Sequence, residues 1–201
     1  MIVEHVLGVI YHPNEEWKSI KEEHFSTLKC YTSHLLYLAA IPPIAAFIGT
    51  TQMGWSIGGG NFVLLTASSA LPIAIAFYFA LLSGVAVMGR FIHWMERTYG
   101  SDSSLDDCMV LATFTATPMF IAGLSALIPI LWVDVLIGMV GLAFTIRLLY
   151  TGVPVVMDIP EEQGFIFSTS IMTVGLVMLV GMLAVTAVLW GTVMGPTFTG
   201  L

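Results

Sequence analysis

After residue 30 the chain alternates long apolar runs with short polar gaps. The runs cover roughly 31–49, 62–93, 108–128, 135–150 and 165–194, and each comes near or exceeds the ~20 residues that carry an α-helix across the hydrocarbon core of a bilayer. The pattern predicts an all-α, polytopic membrane protein: a five-helix transmembrane bundle over 31–201, preceded by a cytoplasmic, interfacial helical segment over 1–30. Runs two and five are over-long, so they must tilt, bend or protrude. Proline interrupts the apolar runs at Pro42-Pro43, Pro72 and Pro118. Each removes a backbone donor, and in lipid the freed carbonyls need partners from hydroxyls, neighbouring helices or water. Thr113, Thr115 and Thr117 stand where they can serve the carbonyls freed by Pro118.

The segment before the first run reads as helices lying on the membrane surface. Val3, Val6, Leu7 and Ile10 share one helical face. Pro13-Asn14, with Glu15 and Glu16 in the first turn, is a start signal for a second helix. In that helix Trp17, Ile20, His24 and Leu28 recur at helical spacing, while Lys18, Glu22 and Lys29 point elsewhere. An amphipathic helix of this kind is expected to rest at headgroup level, with Trp17 as an interfacial anchor. Met1 to Ile10 has no basic start and its apolar residues are broken by Glu4 and His5, so the first run is expected to do the targeting.

Charge adds an orientation. All six basic residues (Lys18, Lys21, Lys29, Arg90, Arg97 and Arg147) fall before the first run, around the second gap or at the edge of the fourth, and of the thirteen acids only Asp134 lies on the other side. Basic residues stay in the cytoplasm. The expected topology in a bacterial inner membrane therefore has a cytoplasmic N-terminus and a periplasmic C-terminus. Composition agrees, with 57% hydrophobic residues and 9% charged. A formal net charge of −7 argues against nucleic acid as a partner, which requires a basic patch. Both cysteines, Cys30 and Cys108, map to the cytoplasmic side, where thiols are kept reduced.

Candidate chemistry is sparse. His93 and Glu96 stand three apart at the inner end of run two and would share a helical face. With a third ligand from the following loop, Asp106 in the first instance and otherwise Asp102, Asp107 or Cys108, they would make a site for a divalent metal. No other cofactor is expected. Arg147, one turn inside run four, is costly in lipid unless it snorkels or pairs, and Asp158, Glu161 and Glu162 are its expected partners. Cys30 and His34 share a face and read as packing. The runs offer only Ser, Thr and Tyr hydroxyls where intramembrane proteases and lipid-modifying enzymes need a nucleophile with a base or several polar groups at one depth. The expectation is a protein that is not an enzyme.

Several short motifs occur in an order that resembles the Yip family, the Ypt/Rab-interacting proteins, and within it the short bacterial inner-membrane branch. They are Pro13-x-x-x-Trp17-x-x-Ile20-x-x-Glu23; Tyr37-Leu38-Ala39-Ala40-Ile41-Pro42-Pro43-Ile44; Ala112-Thr113-Phe114-Thr115-Ala116-Thr117-Pro118 with Ala122-Gly123-Leu124; and Leu149-Tyr150-x-Gly152-Val153-Pro154. The resemblance implies a five-helix bundle with a cytoplasmic N-terminus. It does not carry GTPase binding to this chain, which lacks the long N-terminal region and the acidic-Leu-Tyr-Gly-Pro segment of the eukaryotic members. The leading expectation is a non-enzymatic protein that organises membrane or partner proteins through its cytoplasmic face. The alternative is a small transporter or channel along the proline-broken runs, and either form could be metal-regulated. Candidates for a partner surface or pathway are Trp17, Tyr37, Pro42, Pro43, Thr113, Thr117, Pro118, Arg147, Tyr150 and Pro154. Expected partners are membrane lipids, a cytoplasmic or membrane protein, and a second copy of the chain through Gly175, Gly181 and Ala184 on run five.

Overall fold

The computed structural model describes residue 8 and residues 12–23, 25–56, 62–128, 130–192 and 195–199. Val3, Val6, Leu7, Ile10 and His24 lie outside the described residues. A short helix, α1 (Pro13–Glu22), starts with proline at its first position, where the missing donor costs nothing. Five helices follow that are long and apolar enough to span a membrane: α2 (Thr27–Met53), α3 (Ala67–Tyr99), α4 (Leu105–Leu127), α5 (Leu131–Val156) and α6 (Glu161–Thr192). All five predicted runs are therefore helices, with shifted edges. Residues 62–66 are extended rather than helical, and α5 reaches six residues past the predicted end at 150. Pro154 does not stop α5, because the helix ends only two residues beyond it.

The order of packing follows from composition. Beyond its acidic first turn α4 is apolar or hydroxylic on every side, and half of its most apolar window is buried, against 6% for α3, 11% for α5 and 6% for α6. It forms the axis of the bundle, with α3 and α5 against it, α2 across both its ends, and α6 against α5. The outward faces of α3, α5 and α6 carry large exposed apolar side chains such as Phe79, Leu136 and Val177. This is the arrangement that acyl chains, rather than water, can cover.

α2 is not one regular helix. Residues Tyr31–Leu35 and Gly49–Met53 form π-turns, and the chain breaks at Ala39-Ala40 immediately before Ile41-Pro42-Pro43. Both prolines thereby fall in the first turn of a new helical stretch, where no intrahelical donor is needed. The break is packed shut: a Cβ on Gly123 would sit 2.6 Å from Pro42 Cγ. Near the end of the bundle away from α1, isolated bridges pair Trp55 with Val63, Ser56 with Ile130 and Leu65 with Phe198. There Asp134 accepts a 2.6 Å hydrogen bond from the Ser125 hydroxyl in the first turn of α5, where an acid suits the helix dipole.

α1 departs most from expectation. It packs on the C-terminal end of α5, with Trp17 and Ile20 fully buried in the same core as Leu111, Phe114, Val153 and Phe167. Leu28 is not on that face; it is 73% exposed, because α1 ends at Glu22 and Ser26 caps a fresh start at Thr27. Trp17 and Ile20 of α1 and the facing side chains of the spans thus form one hydrophobic core.

Candidate functional site

Apart from Ser56 at the opposite end, the buried polar side chains among the described residues lie toward the α1 end of the bundle, most of them in two groups on either side of α4. The first lies where α3 turns into α4. One turn before His93, a Cβ on Gly89 would meet Met109 Sδ at 2.3 Å and Met109 Cα at 3.1 Å, so the two helices approach closely only because residue 89 has no side chain. Past Met95 the helix tightens to a 3₁₀ turn over Glu96–Tyr99, which eclipses residues three apart. Gly100 then reverses the chain in the left-handed region at φ 78°, and Ser104 caps α4 through a reciprocal capping box with Asp107. Cys108 follows one turn inside α4.

These constraints bring His93, Glu96 and Cys108 together, with one ligand-type atom of each within 4.8 Å of the others. His93 Nδ1 lies 2.9 Å from Glu96 Oε1 as an ion pair, yet neither atom has a partner in hydrogen-bond geometry among the described residues. Glu96 Oε2 accepts from the Ser103 amide at 3.1 Å and from the Cys108 thiol at 3.6 Å. Glu96 and Cys108 are fully buried, while the His93 side chain keeps 40% of its surface. The loop is tied down on its far side as well. The Ser101 hydroxyl donates to Met157 O at 2.9 Å, and Tyr99 stacks on Phe167 of α6 at 4.6 Å between ring centroids. Asp106, the expected third ligand, is directed elsewhere: its Oδ1 accepts from the amide and hydroxyl of Thr27 and joins the start of α4 to the start of α2. At two residues before Cys108 it lies on a different side of the helix.

The second group is built around Trp17. Its indole packs edge-on to Phe114 at 6.3 Å and lies so close to α5 that a Cβ on Gly152 would be 2.6 Å from its ring. Phe114 in turn carries the His34 ring at 4.6 Å, and His34 Nε2 is 3.0 Å from the Thr117 hydroxyl, both residues being buried. Thr113 and Thr115 donate to the carbonyls of Met109 and Leu111, and Thr117 to that of Thr113. None of these is the Phe114 carbonyl that Pro118 deprives of its donor, so the threonines serve helix geometry and His34 rather than the proline break. Both cysteines are buried free thiols.

The remaining candidates do not converge. Arg147 is exposed on α5 and makes no ion pair among the described residues; Asp158 instead lies 3.6 Å from Lys21. Tyr150 bonds Thr169 of α6 at 2.8 Å, and Pro154 packs where a Cβ on Gly164 would be 2.6 Å from its ring, so both join α5 to α6. Tyr37 is 72% exposed on the outside of α2. Pro43 lines a groove of about 380 Å³ between α2 and α3 whose other walls include Ile44, Leu71, Ile75 and Phe79, and which is apolar throughout. Gly89 was not singled out from sequence, and His34 and Thr117 were each named there but not as partners. Gly152 was present only as part of the Leu149-Tyr150-x-Gly152-Val153-Pro154 motif.

Comparison with known proteins covers nearly the whole chain. A family model described as the Yip1 domain matches residues 7–193. Inner membrane protein YohC of Escherichia coli is 46% identical over 187 residues, which span 93% of this chain and 96% of YohC, and the figures are the same for the protein from two strains. No solved structure matches.

Proposed function

We propose, on the premise that the chain belongs to the Yip1 family, that it is a non-enzymatic inner-membrane protein which organises membrane or partner proteins from its cytoplasmic face. The observation that carries this reading is the docking of α1. Because Trp17 and Ile20 are buried between α4 and α5, the outer face of α1 (Asn14, Glu15, Lys18 and Glu22) is held in place as a fixed polar surface over the bundle. A surface whose side chains are ordered before contact loses less entropy on association than a loose tail does. The one-sided charge distribution supports placing this face, and the N-terminus with it, in the cytoplasm and the C-terminus in the periplasm. The relative of known location, YohC, is an inner membrane protein by its name.

A pathway reading has less to rest on. Arg147, Tyr150, Pro42 and Pro118 face different surroundings, and the groove beside Pro43 is apolar and opens among the lipid-facing residues of α2 and α3. A photo-cross-linking residue placed at positions 15, 18 or 22 in cells tests the proposal. Protein adducts are expected from these positions and not from Val177, on the lipid-facing surface of α6. Equal adducts from both faces, or none from the α1 face, would refute it.

A further inference from the structure

The turn from α3 to α4 holds a carboxylate that is fully buried and supplied, among the described residues, with two donors on one of its oxygens, an amide at 3.1 Å and a weak thiol donor at 3.6 Å. No lysine or arginine among the described residues pairs with Glu96, whose one ion-pair partner there is the His93 imidazole; Arg97, its neighbour, lies 4.0 Å from Asp102. Burying a charge without a counter-charge is strongly unfavourable, and such groups pair or coordinate a metal. Glu96 Oε1 and His93 Nδ1 are both buried atoms without hydrogen bonds, and they face each other at 2.9 Å with the Cys108 sulfur beside them.

From this convergence we infer that His93, Glu96 and Cys108 form a binding site for a divalent transition metal of the zinc class. Bonds of about 2.0–2.3 Å place neighbouring tetrahedral ligands roughly 3.3–3.8 Å apart. The set spans at most 4.8 Å, so its widest pair closes onto an ion by moving about one ångström. A thiolate, an imidazole and one carboxylate select zinc, cobalt or iron over magnesium and calcium, which prefer all-oxygen shells. Binding releases the thiol proton of Cys108 to solvent, and the metal bonds through the sulfur that remains. The partly exposed side of His93 is the entry path and leaves a fourth position for water. The ion joins the last turn of α3 to the first turn of α4 beneath the contacts of Ser101 with Met157 and Tyr99 with Phe167. It thereby acts as a clamp on the inner ends of four helices.

The test uses the full-length chain without an affinity tag, purified in mild detergent, stripped with chelator and titrated with Co²⁺ alone. One Co²⁺ per chain is expected, with thiolate-to-cobalt charge-transfer absorption that Zn²⁺ displaces. Cys108→Ser should abolish that absorption, and Glu96→Gln should weaken binding by about tenfold or more. Asp106→Asn should leave both unchanged. Should the variants fail to fold, zinc-edge X-ray absorption of the wild-type protein decides, with one sulfur expected in the coordination shell. Sub-stoichiometric Co²⁺, a shell of nitrogen and oxygen only, or a charge-transfer band that survives Cys108→Ser overturns the assignment.

Discussion

The close approach of Trp17 to α5 makes Gly152 the most informative position at which to add a single methyl group. An alanine there places Cβ 2.6 and 2.8 Å from two carbons of the indole and 2.9 Å from Leu111 Cδ1. The indole is rigid and fully buried against Phe114, so it cannot swing aside, and overpacking of a filled core costs about 1–3 kcal/mol. Alanine also gains about 1 kcal/mol of helix propensity over glycine, which would mask part of that cost if Gly152→Ala were measured by itself. Gly138, on the same helix with nothing within 4 Å of an added Cβ, supplies the reference. Gly138→Ala takes the propensity gain without the clash. The difference between the two variants is therefore expected to be about 1–3 kcal/mol, with Gly152→Ala the less stable. Reversible unfolding in mixed micelles, followed by circular dichroism, measures it. Removing the indole with Trp17→Ala costs about 3–5 kcal/mol by itself, but in that background the space is vacated and the gap between the glycine variants should shrink to within about 0.5 kcal/mol. Equal stability of the two glycine variants, or a gap that persists without the indole, would refute the docking of α1 on which the proposed function stands.

Two further outcomes follow from the same structure. Gly123→Ala forces Cβ to within 2.6–3.0 Å of Pro42, a ring that cannot change rotamer, and should lower stability by about 1–3 kcal/mol in the same assay. Ser104→Ala removes the hydroxyl that caps α4 and half of its capping box, and should cost about 0.5–2 kcal/mol. Because Cys108 sits one turn beyond the cap, that variant should also weaken Co²⁺ binding, whereas Gly123→Ala at the far end of α4 should not.

The hydrophobic pattern made the number, order and approximate edges of the spans legible, since only helices satisfy their own backbone in lipid and each needs a minimum length. The edges shifted where local turn chemistry outweighed hydropathy. The fourth apolar run ends at 150, before Gly152 and Pro154, yet α5 continues through them, where Gly152 meets Trp17 and Pro154 meets Gly164. The metal candidates were half legible. His93 and Glu96 could be paired by helical spacing, but the choice among Asp102, Asp106, Asp107 and Cys108 depends on where α4 starts its first turn and on how closely Gly89 lets the helices approach. Neither is encoded in spacing along the chain. Asp106 proved to be an anchor for Thr27, a residue far from it in sequence.

The sequence by itself determined that this chain is an all-helical, five-span membrane protein with its charge concentrated on one side, because chain length against bilayer thickness and the confinement of charge to water are one-dimensional constraints. Only the tertiary structure decided that Trp17 and Ile20 of α1 belong to the core, that α4 is the axis of the bundle, and that Glu96 is buried beside His93 and Cys108. Those are questions of which apolar and polar faces meet, and in a chain with so many apolar residues nearly any face would serve. The positions without side chains at Gly89, Gly123 and Gly152 select the faces that do.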